Sequence, residues 1–273
     1  MNRKIGFNKD IFKSNLKSSR LGHNLELFDQ LDSTNEYLLE KGRNGIADLA
    51  VVAESQTAGR GRRGRSWESI RYRSLTFSFS YFVSPKKINL ENIGILSLAT
   101  AVAIAQSLSS LAMANHQTEI GLKYPNDILI NNKKVGGILS ELISFSNKKI
   151  VVTGIGLNFS ANPMKNSKVT GVLSDIFELN KVSRESFLST FFLKMENIFK
   201  LLDDGKKESI IVSYKKFDKT RGMKLIVQNG ARKFIGVAVD IDKDGMLLIK
   251  KSDGELVKHN SGDITFCMKS EKL

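Results

Sequence analysis

The sequence predicts an α+β protein in which a mixed β-sheet is flanked by helices and followed by a small C-terminal β-barrel. Strand-like runs recur between residues 25 and 158, and two longer segments have the spacing of helices. Beyond Arg221, short β runs alternate with turn sequences such as Asn229-Gly230 and Ser252-Asp253-Gly254, which predicts closely spaced hairpins. The predicted division of the chain is a lead-in at 1–24, a main domain at 25–219 and a C-terminal domain at 220–273.

The first predicted elements are a strand at 25–31, a short helix and a second strand at 49–53. Ser33 and Glu36 have the spacing of a capping box at the start of the helix. Gly42 is placed to end the helix, because glycine is favoured just after the last helical turn. The residues Ser33, Thr34 and Asn35 are therefore expected on the first turn of this helix.

A third strand and a long helix follow. At 74–83, apolar and polar side chains alternate, which predicts a strand with one buried face. The stretch 92–118 contains no Asp, Glu, Lys or Arg and is long enough to cross a bilayer. Its Ser, Thr, Gln, Asn and His side chains are too dense for a single lipid-facing helix. We therefore predict a helix packed under the sheet, with an Asn cap and an early acid at 89–92.

Four strands and a second helix complete the predicted main domain. Asn131-Asn132 is a favourable turn pair between two of the strands. Between 183 and 203, aromatic and aliphatic residues recur at helical spacing and indicate a helix that belongs to the core. The four strands are predicted at 120–123, 127–130, 134–143 and 149–158.

Composition and charge limit the function classes. The 273 residues include one cysteine, Cys267, which excludes a disulfide scaffold and a Cys-rich zinc site. The net charge of +14 indicates polyanionic ligands: nucleic acid, an anionic membrane or phosphate-bearing molecules. The basic start lacks the apolar core and cleavage site of a secretory signal, so we expect a cytoplasmic protein with a short solvated lead-in helix. A transit peptide is the alternative that composition leaves open.

The densest chemical signal is the Gly/Arg run from Gln56 to Trp67, which reads QTAGRGRRGRSW. Glycines let a backbone approach a ligand closely, and arginines add forked donors suited to phosphate or carboxylate. The run lacks the Gly-Lys-Ser/Thr ending of a Walker loop and is not a Rossmann fingerprint. Disordered nucleic-acid-binding tails also use Arg and Gly, but this run lies between two predicted strands. Trp67 is either a stacking platform for a base or a core residue.

A second signal is Lys123-Tyr124-Pro125-Asn126-Asp127, followed by KVGGILSE at 134–141. A lysine at a strand end, before a rigid turn, places one positive charge at a site, although a plain hairpin with a solvated lysine has the same pattern. The glycines at 136–137, and those of Gly154-Ile155-Gly156-Leu157-Asn158, leave room beside the strand backbone for a ligand.

Taken together and in this order, the segments resemble the biotin protein ligases, also called biotin–[acetyl-CoA-carboxylase] ligases. The motifs that carry the resemblance are Ser-Thr-Asn at 33–35, the Gly/Arg run, Lys-Tyr-Pro-Asn-Asp, Gly-Gly-Ile-Leu and Gly-Ile-Gly-Leu-Asn. The resemblance extends from about Leu25 to the C-terminus, where Gly236-Val237-Ala238 and Gly262-Asp263-Ile264 look like the family's SH3-like domain. It implies a class II synthetase-like catalytic domain.

The resemblance also implies an activity. Family members join the carboxylate of biotin to ATP, which gives biotinyl-5′-AMP and pyrophosphate, and then pass biotin to a lysine of a carrier domain. Attack of a carboxylate on a phosphate brings two anions together, so positive groups must offset the repulsion. The implied substrates are biotin and ATP with Mg²⁺, and no fixed protein metal site is expected. The implied partner is the biotin carboxyl carrier domain of a biotin-dependent carboxylase.

The resemblance carries over residue by residue to three groups. Lys123, Arg60 and Arg62 match the positions that offset charge in catalysis, and Trp67 is expected near adenine. The positions expected to meet biotin are Ser33, Thr34, Asn35, Gln56, Gly59, Arg60, Gly61, Arg62, Lys123, Gly137, Gly154 and Gly156. The positions expected to meet ATP or the adenylate are Arg60, Arg62, Arg63, Arg65, Trp67, Lys123, Asn126 and Asn158.

Two departures from the family pattern stand out. The usual turn carries Trp where this chain has Tyr124. Some relatives begin with a DNA-binding helix-turn-helix, whereas about 24 residues precede Leu25 here, so we expect a single-function ligase that binds neither DNA nor membrane. The resemblance is compatible with a homodimer in which two sheets pair edge to edge. No residue of the sequence distinguishes this dimer from a monomer. A lipoate-type ligase and a basic nucleic-acid-binding protein remain the alternative functions.

Overall fold

The computed structural model describes residues 6–83, 94–112, 118–164, 169–177, 181–229, 232–259 and 263–266. The predicted cap at 89–92, the turn at 229–230 in part, Gly262 and Cys267 lie outside the described residues. The helices are α1 Lys9–Asn15, α2 Thr34–Arg43, α3 Gly94–Leu111, α4 Arg184–Asp203 and α5 Lys207–Lys215. The strands of the main domain are β1 Leu25–Phe28, β2 Ala50–Ala53, β3 Leu75–Val83, β4 Ile120–Lys123, β5 Asp127–Ile130, β6 Lys133–Phe145 and β7 Lys148–Leu157. Those that follow are β8 Lys224–Asn229, β9 Arg232–Ile241, β10 Leu247–Lys251, β11 Leu256–His259 and β12 Asp263–Phe266.

The main domain is built on a seven-stranded mixed sheet in the order β1-β2-β3-β7-β6-β5-β4. β1 and β2 are parallel and the other pairs are antiparallel, which confirms the predicted mixed sheet. Helix α2 covers one face, where Leu38 packs with Val51 and Val152. Helices α3 and α4 cover the other face and enclose the larger core. The sheet therefore separates two apolar layers, and the candidate site lies on the face that carries α2.

Strand β3 differs from its prediction, because both of its faces are buried. The apolar side chains meet α4, where Phe77 and Phe191 pack with ring centroids 5.3 Å apart. The polar face, with Ser78 fully buried, turns towards α2 instead of towards water. The Ser78 hydroxyl lies 2.7 Å from both Thr34 Oγ1 and Asn35 Oδ1. The predicted strand is confirmed, but its polar face belongs to a buried hydrogen-bond network instead of facing water.

The ends of α2 also refine the prediction. Ser33 caps the helix and accepts a hydrogen bond from the Glu36 N–H at 3.4 Å. The Glu36 carboxylate lies 2.5 Å from Arg60 and does not accept from the Ser33 N–H, so only the Ser33 half of a capping box is formed. Gly42 lies inside the helix, which ends at Arg43, and packs closely on the sheet, since a Cβ there would meet Ile143 at 2.6 Å. The residue with positive φ after the helix is Gly45, at 77°.

Residues 94–111 of the long uncharged stretch form α3, which is apolar and long enough to cross a membrane by composition but is mostly buried inside the protein. It packs against α4, the predicted aromatic helix, and Ser183 is the N-cap of α4. Helix α1 also packs on α4 and buries Phe12 completely, so the lead-in is not simply solvated. Helix α5 was not predicted, and its N-cap position, Lys206, makes no side-chain cap bond.

The C-terminal residues form a five-stranded antiparallel sheet in the order β11-β10-β9-β8-β12. Its tight turns use Gly245 and Gly254, both with positive φ, at positions where the sequence predicted hairpins. The sheet rests against the main domain, because a Cβ on Gly245 would lie 3.2 Å from Leu98 of α3. The linker before β8 runs beside β4, with a bridge between Leu122 and Asp218. The C-terminal sheet is thus fixed next to the strand that ends in Lys123.

Candidate active site

One row of paired residues crosses the sheet and forms the floor of a cavity. Reading from β3 to β4, the partners are Thr76, Gly156, Gly137, Asp127 and Lys123. Residues paired directly across strands project from the same face of a sheet. The two central glycines leave the middle of the row open, and Lys123 stands at its end. The register of the sheet thus brings residues from five strands into one site.

Most of the predicted site residues line this cavity. Those that do are Ser33, Thr34, Asn35, Gln56, Arg60, Gly61, Arg62, Arg65, Trp67, Lys123, Asn126, Gly137, Gly154 and Gly156. The lining residues absent from that prediction are Ser66, Tyr124, Pro125, Asp127, Lys134, Ile138, Leu139 and Ile155.

The end of the cavity beside α2 is a network of hydrogen-bonding groups. Gln56 Oε1 accepts from the Thr34 N–H at 2.8 Å and lies 3.1 Å from the Thr34 hydroxyl. Asn35 donates from its amide to Glu141 at 2.8 Å and to the Leu139 carbonyl at 3.2 Å. The site therefore offers fixed polar groups beside apolar strand residues, an arrangement typical of small-molecule pockets. Glu141 was not predicted, although it follows Leu139 by two residues and Gly137 by four on β6, which places it on the same face.

The glycines of β7 make room for two protein side chains as well as for a ligand. A Cβ on Gly154 would lie 2.0 Å from Asn35 Oδ1, and a Cβ on Gly156 would lie 2.2 Å from Trp67 Cε2. Gly137, opposite Gly156, is less crowded, because its Cβ would meet the Trp67 ring at 3.7 Å, an ordinary contact. The Trp67 ring thus lies flat against the glycine floor of the cavity.

Gly156→Ala is expected to displace Trp67 and lower the free energy of unfolding by about 1–3 kcal/mol, because the new methyl group overpacks the ring. Trp67 is the only tryptophan of the sequence, so intrinsic fluorescence reports on it directly. The emission maximum should shift to the red as the ring becomes more exposed. Gly137→Ala is the matched control and should leave the emission unchanged; equal spectra for the two variants would contradict the floor role of Gly156.

The Gly/Arg run folds into a hairpin that overhangs the cavity. The Gly61 N–H donates to the Arg65 carbonyl at 2.7 Å, and the Trp67 N–H donates to the Gly59 carbonyl at 2.9 Å. Arg62 reaches across to the β4–β5 turn and donates to Asn126 Oδ1 at 3.0 Å. Arg60 lies between two carboxylates, 2.5 Å from Glu36 and 2.9 Å from Glu141. The hairpin therefore brings Arg60, Arg62 and Arg65 to the cavity.

Lys123 ends β4 and enters the cavity from the side opposite α2. Burial lowers the pKa of the Lys123 ammonium, Asp127 opposes this effect, and the nearby charges of Lys134 and Arg65 lower the pKa further. Asp127 is itself 2.6 Å from Lys134 Nζ. A partly desolvated cation among other cations stabilises an anion placed beside it strongly, because water screens the interaction little. The cavity is thus suited to a ligand with several negative charges.

Three predicted residues do not line the cavity. Gly59 supports the hairpin, since a Cβ there would lie 2.4 Å from the Trp67 carbonyl oxygen. Arg63 has a positive φ of 56° and turns towards the C-terminal sheet, where it donates to the Gln228 carbonyl at 3.4 Å. Asn158 is buried beyond the end of β7, and its amide donates to the Gly171 carbonyl at 3.1 Å. Gly59 therefore affects the site through the backbone of the hairpin, whereas Arg63 and Asn158 lie away from the cavity.

The fold and the cavity define the class of protein. Residues 27–158 match the biotin/lipoate A/B protein ligase family, and residues 225–266 match the biotin protein ligase C-terminal domain. The cationic cavity lies within the first match.

Relatives place the chain more narrowly within this class. It is 30% identical over 245 residues to the biotin–[acetyl-CoA-carboxylase] ligase of Mycobacterium tuberculosis, and the matched region covers 88% of each chain. It is 30% identical over 254 residues to the bifunctional ligase/repressor BirA of Bacillus subtilis, covering 91% of this chain and 76% of that one. The structure of the biotin protein ligase of Aquifex aeolicus in complex with biotin and ATP matches with a TM-score of 0.74 and 27% identity, over 90% of this chain and all of the other. The chain belongs to the biotin protein ligase family.

Proposed function

We propose that this chain is an ATP-dependent biotin protein ligase. It forms biotinyl-5′-AMP from biotin and ATP, releases pyrophosphate, and transfers the biotinyl group to a lysine of a biotin carboxyl carrier domain. The observation that carries this proposal is the cavity on the α2 face, where Lys123 and Arg62 meet a polar pocket built by Thr34 and Gln56. The lipoate-type and nucleic-acid-binding alternatives lack such an observation, and the C-terminal match is to a biotin ligase domain.

The first step joins two anions. A biotin carboxylate oxygen attacks the α-phosphorus of ATP, the bond to the bridging oxygen of the β-phosphate breaks, and pyrophosphate leaves. Lys123 stands between the carboxylate and the α-phosphate and stabilises the charge that develops there, with Arg60 and Arg62 beside it. Mg²⁺ bound with ATP would supply further positive charge to the pyrophosphate leaving group. The side chains of the cavity thus supply positive charge beside the reacting groups.

The polar end of the cavity binds the head group of biotin, at the far end from its carboxylate. Ser33, Thr34, Asn35 and Gln56 meet the urea of biotin, whose N–H and C=O groups need partners inside a pocket. An aliphatic acyl chain without such a head would offer these side chains no polar partner, which disfavours it. Trp67 provides a flat apolar surface near the nucleotide base. The residues proposed as site residues are therefore those that line the cavity, and Gly59, Arg63 and Asn158 support or flank it.

The second step transfers the acyl group. The amine of the carrier lysine, once deprotonated, attacks the carboxyl carbon of the mixed anhydride, and AMP leaves with the electron pair of the broken C–O bond. Water would compete for the same carbon, so the Gly/Arg hairpin protects the intermediate by covering the cavity. The exposed lysines outside the site steer the carrier domain, which we propose to be acidic on its facing surface.

We also propose the wider setting of the protein. It acts in the cytoplasm and binds neither DNA nor membrane. Its proposed domains are a lead-in at 1–24, a catalytic domain that binds biotin and ATP at 25–219, and a C-terminal SH3-like domain at 220–273. A homodimer formed through a sheet edge is the oligomeric state to test, by sedimentation with and without the adenylate.

Ligand-dependent thermal unfolding tests the proposed function. Biotin at about 100 times its Kd is expected to raise the unfolding midpoint by about 5–10 °C, since it binds the native state alone. Biotin with MgATP should raise the midpoint further, because the adenylate formed in place joins both sets of contacts. Biotin methyl ester with MgATP is the matched control, since it lacks the reacting carboxylate. Lipoic acid with MgATP tests the lipoate alternative; a shift with lipoic acid and none with biotin would overturn the proposal.

A further inference from the structure

Tyr124 links the catalytic turn to the C-terminal sheet. Its side chain follows Lys123 directly and is 3% exposed. The Tyr124 hydroxyl lies 3.1 Å from the carbonyl oxygen of Gly245, in the β9–β10 turn, and 3.1 Å from that of His259, at the end of β11. Two carbonyl groups of the C-terminal sheet thus converge on one phenol, which donates its single hydrogen to them.

The phenol stays a donor throughout the physiological range. Burial raises the pKa of Tyr124 to about 12, so the hydroxyl keeps its hydrogen at any pH at which the protein works. Both acceptors are backbone carbonyls of ordered turns and strands, which have no other protonation state. The link is therefore present whenever the C-terminal sheet is folded against the main domain.

The backbone on both sides of Lys123 is tied to the linker that leads into the same sheet. The Leu122 N–H donates to the Phe217 carbonyl at 2.7 Å, and the Lys219 N–H donates to the Leu122 carbonyl at 2.9 Å. The Tyr124 N–H donates to Thr220 Oγ1 at 2.8 Å. Lys123 is thus held on both sides, because the backbone of each of its two neighbours is hydrogen-bonded to the linker.

We propose that the Tyr124 hydroxyl is a positioning group for adenylate formation, through which the C-terminal sheet holds Lys123 at the reacting centre. The inference rests on the proposed function, in which Lys123 is the charge partner of carboxylate and phosphate. A displacement of about 1 Å at a group that acts by position is enough to slow a reaction substantially. The family's usual tryptophan at this position carries an indole N–H and no hydroxyl, so the double carbonyl contact is a property of this chain.

Tyr124→Phe tests the proposal, because phenylalanine keeps the ring and removes only the hydroxyl. We expect kcat for biotin-dependent pyrophosphate release to fall about tenfold, while the KM for biotin stays within twofold of wild type. Thr220→Val removes the other bond to Tyr124 and should lower kcat in the same direction. Tyr214→Phe is the matched control: its buried hydroxyl has no hydrogen-bond partner among the described residues, and kcat should not change.

The readouts separate positioning from loss of fold and from failure of the proposed function. All assays are run well below the unfolding midpoint of each variant, and biotin-induced stabilisation should be retained in Tyr124→Phe. A wild-type protein that releases no pyrophosphate with biotin and ATP would overturn the proposed function itself. With an active wild type, an unchanged kcat in Tyr124→Phe would overturn the positioning role, and so would a fall in kcat equal to that of Tyr214→Phe.

Discussion

Replacing Lys123 with alanine is expected to slow biotin-dependent pyrophosphate release by about 100- to 1,000-fold, the usual effect of losing one group aimed at developing charge. The lysine stands at the end of the cross-strand row and meets the cavity where carboxylate and phosphate must approach each other. Because burial lowers its pKa, the charged side chain does not stabilise the fold by itself. The unfolding midpoint should therefore stay close to that of wild type.

Lys133→Ala is the matched control for this variant. Lys133 begins β6, is exposed and does not line the cavity, so its loss removes the same formal charge without touching the site. We expect wild-type pyrophosphate release from it, measured at saturating biotin and MgATP. An unchanged rate in Lys123→Ala, or an equal loss in both variants, would remove Lys123 as the charge partner.

The sequence was sufficient to predict most of the secondary structure because the relevant signals are local. The turn at Asn131-Asn132 illustrates this, since both residues adopt the positive φ that such a hairpin requires. The buried polar face of β3 was not predictable in this way. Whether Ser78 meets water or Asn35 depends on where α2 packs, which is a tertiary property. Helix α5 escaped prediction because it lacks a capping side chain and an aromatic stripe.

The candidate site shows the same division between local and tertiary signals. The Gly/Arg run and the Lys123 turn were found from residue type and spacing. The partners of the glycines were not, because Gly154 accommodates Asn35 and Gly156 accommodates Trp67 only once the register of the sheet is known. Arg63 was assigned to the nucleotide with its neighbours, yet its positive φ turns it towards Gln228. An arginine run predicts a cationic loop without saying which members face the ligand.

Arg62→Gly is expected to release biotinyl-5′-AMP into solution, with a dissociation rate about 10- to 100-fold above wild type. Arg62 spans from the hairpin to Asn126 Oδ1 at 3.0 Å and so joins the two walls of the cavity. A charge-assisted contact of this kind contributes about 1.5–3 kcal/mol, which corresponds to the stated change in rate. The measurement is a single turnover with labelled biotin, followed by rapid filtration and quantification of free adenylate.

Arg63→Gly supplies the control that separates position from charge. It removes the adjacent arginine of the same hairpin, and glycine tolerates the positive φ found there, so the backbone should keep its shape. Because Arg63 lies outside the cavity lining, the adenylate should be retained as in wild type. Equal leakage from both variants would indicate a general effect of lost charge on the hairpin. Retention by Arg62→Gly as tight as by wild type would show that the hairpin closes over the intermediate without Arg62.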